Sequence, residues 1–177
     1  LHIPSHSFPT RRSSDLSISP NACVIVDDKP VFMGVSDILR YSADHTKGLL
    51  GRELQIKLDE LNEAWHSASL ERIFIENKLY QLIEGCRTRE AAYEAVDKGL
   101  EPFKSKLKRE VTLEDVQRLT ELKFIRISRY DSEKADNEIK QIEKDIKQTK
   151  YDLDHLTDYA IAYFERIKSK YGEGKER

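Results

Sequence analysis

The stretch that decides the fold is Ser132–Tyr171, SEKADNEIKQIEKDIKQTKYDLDHLTDYAIAYFERIKSKY. Its apolar and small positions are Ala135, Ile139, Ile142, Ile146, Thr149, Leu153, Leu156, Ala160, Tyr163 and Ile167, spaced 4-3-4-3-4-3-4-3-4. Alternating fours and threes place all of them on one side of an α-helix, with Lys, Glu, Asp and Gln on the remainder. The pattern persists for more than four heptads, which predicts a long helix whose seam needs a partner helix. Gly172 and Gly174 end it.

The partner lies upstream. Ser36 offers an N-cap with Asp37 in the first turn, and no proline follows until after Glu84. Ile38 begins the apolar series; Leu50, Leu54, Leu58, Leu61, Trp65 and Ala68 continue it at 4-4-3-4-3, and Ile73, Leu79 and Ile83 close it. Gly48 and Gly51 each weaken a helix by about 1 kcal/mol relative to Ala, leaving room for a bend or a close contact. At ~1.5 Å per residue, a helix of roughly 40–45 residues reaches about 60–70 Å. Between the two runs, Thr88 can cap a helix over Arg89–Gly99. Pro102 and a basic loop (Lys104, Lys106, Lys108, Arg109) come next. Thr112 with Asp115 makes a capping-box-like start to a helix over 113–123, and Phe124, Ile125 and Ile127 carry apolar content up to Tyr130-Asp131. The predicted class is mainly α: a long antiparallel coiled-coil hairpin with a small helical globular tip.

Near the N-terminus, Ala22–Val26 and Val31–Met33 read as short strands flanking Asp27-Asp28-Lys29-Pro30, with Pro30 closing the turn. A lone hairpin is marginal in water, so these strands are expected to belong to a larger sheet. Residues 1–16, LHIPSHSFPTRRSSDL, have no helical or strand period and no apolar core of the kind a signal peptide needs. The stretch is Ser- and Arg-containing and acid-poor, as a transit peptide is, but His6–Leu16, HSFPTRRSSDL, resembles one reading frame of a common sequencing-library adapter, and the expectation is a non-native tail at 1–16 with the natural sequence from about Ser17. The expected organisation is then a tail (1–16), a β-hairpin remnant (17–34), an outgoing arm (35–84), a tip (85–131) and a returning arm with a junction (132–177).

Composition supports long helices. The chain has 177 residues, 30 Lys+Arg against 32 Asp+Glu, a formal charge of −2 and 35% charged residues, with 7 Gly and 5 Pro. The charged fraction exceeds the ~25% of an average globular chain. Collagen, mucin-like stalks and low-complexity disorder are excluded. Near-zero net charge excludes a simple polyanion sponge while permitting a local basic face. No apolar run approaches the ~18 residues that span a bilayer. Cys23 and Cys86 are too few for a disulfide framework or a four-ligand zinc site, which favours a reducing compartment.

These residues resemble a known family. Asn21–Met33 with Val35-Ser36-Asp37-Ile38-Leu39 is similar to the end of the tower region in the A subunits of bacterial type IIA topoisomerases, gyrase and topoisomerase IV. Asp115–Asp131, DVQRLTELKFIRISRYD, resembles that family's exit-gate helix and turn. The heptads of 133–167 resemble its returning arm, and Tyr171–Arg177 its junction to a C-terminal domain. The likeness covers about 18–177 and lies in the order of elements, with a topoisomerase IV-like subtype of the Bacteroidetes type as the nearest match. Arg129 and Ile125 depart from the family's usual Gly and polar residue.

The resemblance implies an arm and exit gate of an ATP-dependent enzyme that passes one DNA duplex through another. It implies a homodimer through the tip, with Leu119, Leu122, Phe124, Ile125 and Ile127 as interface candidates. It further implies double-stranded DNA and a topoisomerase B subunit for partners, with ATP and Mg used through the latter, and a cytoplasmic, nucleoid-associated location. No cofactor, metal or catalytic residue is expected on this chain. The family's cleaving tyrosine follows an arginine, and Arg40-Tyr41 and Arg129-Tyr130 lack its other flanking residues. Both tyrosines are expected as amphipathic interface residues. Lys104, Lys106, Lys108 and Arg109 form a solvated loop or a weak DNA contact. His2, His6, His45, His66 and His155 have no metal-ligand spacing and read as solvated surface residues. Gly172-Glu173-Gly174-Lys175 lacks the spacing of a phosphate loop. The competing reading is a stand-alone coiled-coil scaffold with a self-associating tip, against which the orphan hairpin argues.

Overall fold

The computed structural model describes residues 22–174, without the Phe124 side chain. The adapter-like tail therefore lies outside the described residues. The chain divides between His45 and Thr46 into two compact units.

In the first unit, β1 (Cys23–Val26) pairs antiparallel with β2 (Lys29–Phe32). Asp27 and Asp28 form the whole turn, with φ of 49° and 60°. Two successive left-handed residues define the type I′ turn, whose twist matches that of the strands it joins. Pro30 does not close the turn as expected. It lies inside β2 opposite Ile25, tolerated because a two-stranded ribbon is all edge. The cross-strand pairs Cys23–Phe32 and Ile25–Pro30 share one face, and all four residues are exposed.

α1 (Val35–Glu76) starts one residue before the expected Ser36 cap. The Gly34 carbonyl accepts from Asp37 N and Ile38 N, so Ser36 already lies within the first turn. α1 ends at Glu76, short of Glu84. Asn77 Nδ2 donates to the Ile73 carbonyl at 2.9 Å, and Lys78 takes a left-handed conformation. Leu79–Ile83 then form a tight 3₁₀ turn. α2 (Arg89–Leu100) is capped by Thr88 and α3 (Leu113–Thr120) by a full capping box from Thr112 and Asp115. A 3₁₀ segment, Glu101–Lys106, links them. α4 (Phe124–Ser128) is a single turn, and Asp131 caps α5 (Ser132–Asp154) by accepting from Glu133 N and Lys134 N.

The returning helix is not continuous. His155, at φ −113° and ψ 41°, separates α5 from α6 (Leu156–Tyr171). Its ring stacks on Tyr151 with centroids 4.1 Å apart, and its Nδ1 lies 3.0 Å from the Tyr151 carbonyl oxygen.

Within the second unit, α1 runs antiparallel to α5 and α6. Lys47 Nζ donates to Thr157 Oγ1 at 2.8 Å, Trp65 Nε1 to Glu143 Oε1 at 3.0 Å, and Ser132 Oγ to Glu76 Oε1 at 2.6 Å. Arg72 Nη1 meets Asp136 Oδ1 at 2.7 Å. The arm seam buries Leu50, Leu54 and Leu58 from α1, Ile139, Ile146 and Thr149 from α5, and Ala160 from α6. A second core fills the tip: Leu70, Phe74, Ile75, Leu79, Val96, Leu100, Val116 and Leu119. The last turns of α1 thus belong to the tip's interior as much as to the arm.

Candidate functional site: the tip and its joint with the arm

The tip presents the residues expected to associate, in three different environments. Leu119 is 5% exposed and sits in the tip's own core. Leu122 and Ile127 are half-buried and pack against that core. Ile125 is 56% exposed on α4. The Phe124 side chain lies outside the described residues. Leu113 at the start of α3 and Leu82 in the 3₁₀ turn are further exposed leucines of the tip, and neither is among the interface candidates.

The basic loop is less free than its composition suggests. Lys104 pairs with Asp97 at 3.1 Å. Lys106 lies 5.6 Å from the centre of the Phe103 ring, and Lys108 lies 4.3 Å from that of Trp65. Burial and the nearby Lys150 push the Lys108 ammonium below its ordinary range.

Arg109 is the best-anchored of the four. Its Nη1 and Nη2 reach Asp115 Oδ2 and Oδ1 at 2.7 and 3.1 Å. Its Nε and Nη2 reach Glu63 Oε1 and Oε2 at 2.9 and 2.8 Å. One planar guanidinium thus holds two carboxylates, each in a bidentate grip. Glu63 belongs to α1 and Asp115 to α3, so Arg109 joins the arm to the tip.

Asp115 is 4% exposed. Burial alone would raise its pKa. The hydrogen bonds from Arg109 and from Thr112 N and Oγ1 outweigh burial and hold the carboxyl far below its usual range. The Arg109 hydrogen bond likewise draws Glu63 down, and the two carboxylates hold the guanidinium firmly charged.

His66 completes the joint and overturns an expectation. It is 1% exposed, not a solvated surface residue. His66, Leu70 and Phe74 recur at four-residue spacing on α1. That stripe is distinct from the Leu50–Ala68 seam and turns into the tip. A histidine at its head hid the period. His66 Nε2 lies 3.5 Å from Asp115 Oδ2, yet among the described residues neither ring nitrogen has a hydrogen-bond partner. Burial, aided by the Arg109 charge, pushes its pKa below the ordinary value, so the ring is neutral near pH 7.

Neither tyrosine considered for catalysis is in a setting that activates a phenol. Tyr41 is 38% exposed and stacks on His45. Tyr130 packs against the tip core with its hydroxyl unpartnered among the described residues, and burial raises its pKa, which disfavours the phenolate. Among the described residues, no three His, Cys, Asp or Glu side chains are placed to hold a metal ion. Among them also, no helix is long and apolar enough to cross a membrane.

Two antiparallel helical stretches carrying a separately cored helical tip define a mainly α, arm-and-tip protein. The family model for the A subunit of DNA gyrase/topoisomerase IV matches residues 10–165. The chain belongs to that family. The matched span begins inside the stretch read as a non-native tail. The A subunit of DNA topoisomerase 4 from Borreliella burgdorferi is 28% identical over 162 residues, covering 92% of this chain and 26% of that protein. Its counterpart from Staphylococcus aureus is 26% identical over 170 residues, covering 94% of this chain and 20% of that protein. The chain thus spans about a quarter or less of the length of these relatives.

Proposed function

We propose that the chain is the coiled-coil arm and exit gate of a type IIA DNA topoisomerase A subunit, with a mechanical role in double-strand passage. In this reading two tips meet about a two-fold axis, close a cavity, and part to release the transported duplex. A gate of this kind is a reversible two-state contact, so its opening free energy must be only a few kcal/mol. The observation that carries the reading is the separation of cores. The tip satisfies its own interior with Leu70, Phe74, Leu100 and Leu119 and still exposes Ile125, Leu113 and Leu82 at the surface. Spare apolar surface on a self-sufficient body is what an isologous contact requires.

At the level of the whole enzyme, the partners proposed are double-stranded DNA and a topoisomerase B subunit, in a bacterial cytoplasm at the nucleoid. ATP and Mg are proposed for that whole enzyme, used through the B subunit. No DNA cleavage is assigned to Tyr41 or Tyr130.

The test is the solution mass of the full chain by sedimentation equilibrium, beside Ile125→Asp. A dimer that Ile125→Asp converts to a monomer of unchanged helicity supports the gate. A wild-type monomer at tens of micromolar sinks the self-associating tip. Leu122→Asp is the contrast: Leu122 packs on the tip core, so its loss must also lower stability.

A further inference from the structure

The joint between arm and tip contains a buried titratable ring, His66, with no hydrogen-bond partner among the described residues. We propose that His66 is a proton-sensitive latch: uncharged, it lets Arg109 tie Glu63 to Asp115; protonated, it takes Asp115 from Arg109 and loosens α3 and the 107–112 segment from α1.

Asp115 Oδ2 has reached its hydrogen-bonding capacity. Asp115 Oδ2 already accepts from Arg109 Nη1 at 2.7 Å, Thr112 Oγ1 at 2.9 Å and Thr112 N at 3.0 Å. Oδ1 accepts from Arg109 Nη2. His66 Nε2, 3.5 Å from Oδ2, is the nearest further candidate and is left out. A neutral imidazole tolerates this, because it carries no net charge into a buried site. An imidazolium is two donors and a charge, and a buried charge without acceptors is strongly disfavoured. It must either leave the site or displace a donor from Asp115.

The groups facing His66 are few. α1 supplies Glu63, the 107–112 segment Arg109, and α3 Asp115. Arg109 opposes protonation, whereas Glu63 and Asp115 favour it. Glu143 and Lys150 of α5 act on Lys108. With His66 neutral, the cluster holds two carboxylates and one guanidinium, so an added proton balances its charge while overfilling its hydrogen bonds. That mismatch makes partner exchange the expected response. The sign follows from linkage: a folded-state pKa below the unfolded one gives stability that is whole above about pH 6.5 and is lost as pH falls beneath it.

The chain's single tryptophan, Trp65, precedes His66 and carries Lys108 over its ring. It is a built-in reporter of the joint. The experiment titrates the full chain from pH 8 to pH 5, reading Trp65 emission and the His66 ring resonance together. The expected result is one shared midpoint below 6.5. The emission change should vanish in His66→Leu, and Arg109→Gln should move the His66 midpoint upward. A flat wild-type emission across the His66 transition overturns the latch, as does a transition retained in His66→Leu. If His66→Leu fails to fold, amide exchange of 107–116 in the wild type, corrected for intrinsic pH dependence, decides. Faster exchange below the His66 midpoint supports the latch, and pH-independent protection refutes it. Neither outcome depends on whether tips self-associate.

Discussion

The arm and the tip are both helical, yet they are held together by different physics. The arm is a seam. Leu50, Leu54 and Leu58 meet α5 and α6 along one line, and polar contacts such as Lys47–Thr157 and Trp65–Glu143 flank it. The tip is a small globule. Phe74, Leu70, Leu100 and Val96 are each 2% exposed or less and come from two helices distant in sequence. A seam has open sides into which neighbouring atoms can shift, whereas an enclosed core leaves a cavity when it loses atoms.

The largest test of that contrast compares Phe74→Ala with Leu54→Ala. Phe74→Ala should cost about 3–5 kcal/mol and Leu54→Ala about 2–3 kcal/mol, because the seam collapses further around the gap. Urea unfolding followed by helical circular dichroism and by Trp65 emission separates the two. Phe74→Ala should also split the two signals, since Trp65 sits beside the joint while much of the helix lies in the arm. Equal costs with coincident transitions would mean that arm and tip are one cooperative body.

The second test compares their ion pairs. Arg109→Met leaves Asp115, 4% exposed, without its main counter-charge. Losing one partner of a fully buried pair costs ~3–5 kcal/mol. Arg109 itself is one-third exposed, so solvent screening lowers the expectation to about 2–3 kcal/mol. Arg72→Met removes pairs with Asp136 and Glu76, in which the three side chains are 38%, 35% and 33% exposed. It should cost no more than ~1 kcal/mol. Denaturant midpoints at pH 7.5 measure both; a larger loss from Arg72→Met would reverse the view that the joint is the stronger anchor.

How far each region could be read from the sequence follows the same division. The arm is local physics repeated: alternating fours and threes placed Ile139, Ile146, Thr149 and Ala160 on one side, and the structure buries all four. The caps at Thr88 and Thr112 were equally legible, since a cap bonds within three residues. The break at His155 was not, because the heptad runs through it unbroken and the ring stack on Tyr151 leaves no mark on the period. Lys78, in a left-handed conformation without being Gly or Asn, hid the end of α1. The joint was hidden most deeply. His66 lies 43 positions from Arg109 and 49 from Asp115, and only the tertiary fold turns a surface-type histidine and a basic-loop arginine into one buried cluster. Among the tip candidates, residue type marks Leu119, Leu122, Ile125 and Ile127 as apolar without separating those that fill the interior from those that face outward.

The smallest effect sharpens the account of the seam itself. Gly48 and Gly51 are three residues apart on α1, and as helix-interior residues both lose about 1 kcal/mol relative to Ala. Their surroundings differ. A Cβ on Gly48 meets nothing within 4 Å, whereas one on Gly51 comes within 3.0 Å of Leu156 Cδ2. Leu156 is the first residue of α6, directly after the break. Gly48→Ala should therefore raise stability by close to the full ~1 kcal/mol. Gly51→Ala gains the same backbone term but must push Leu156 aside, at a cost of comparable size for a tight contact, so it should be near neutral. Thermal midpoints of the two variants, with amide exchange at Tyr159, decide the matter. Equal stabilisation would show that Leu156 yields freely and that α6 rests loosely on α1. A loss confined to Gly51→Ala, with faster exchange at Tyr159, would show that the close contact of Leu156 with Gly51 holds the start of α6 in place.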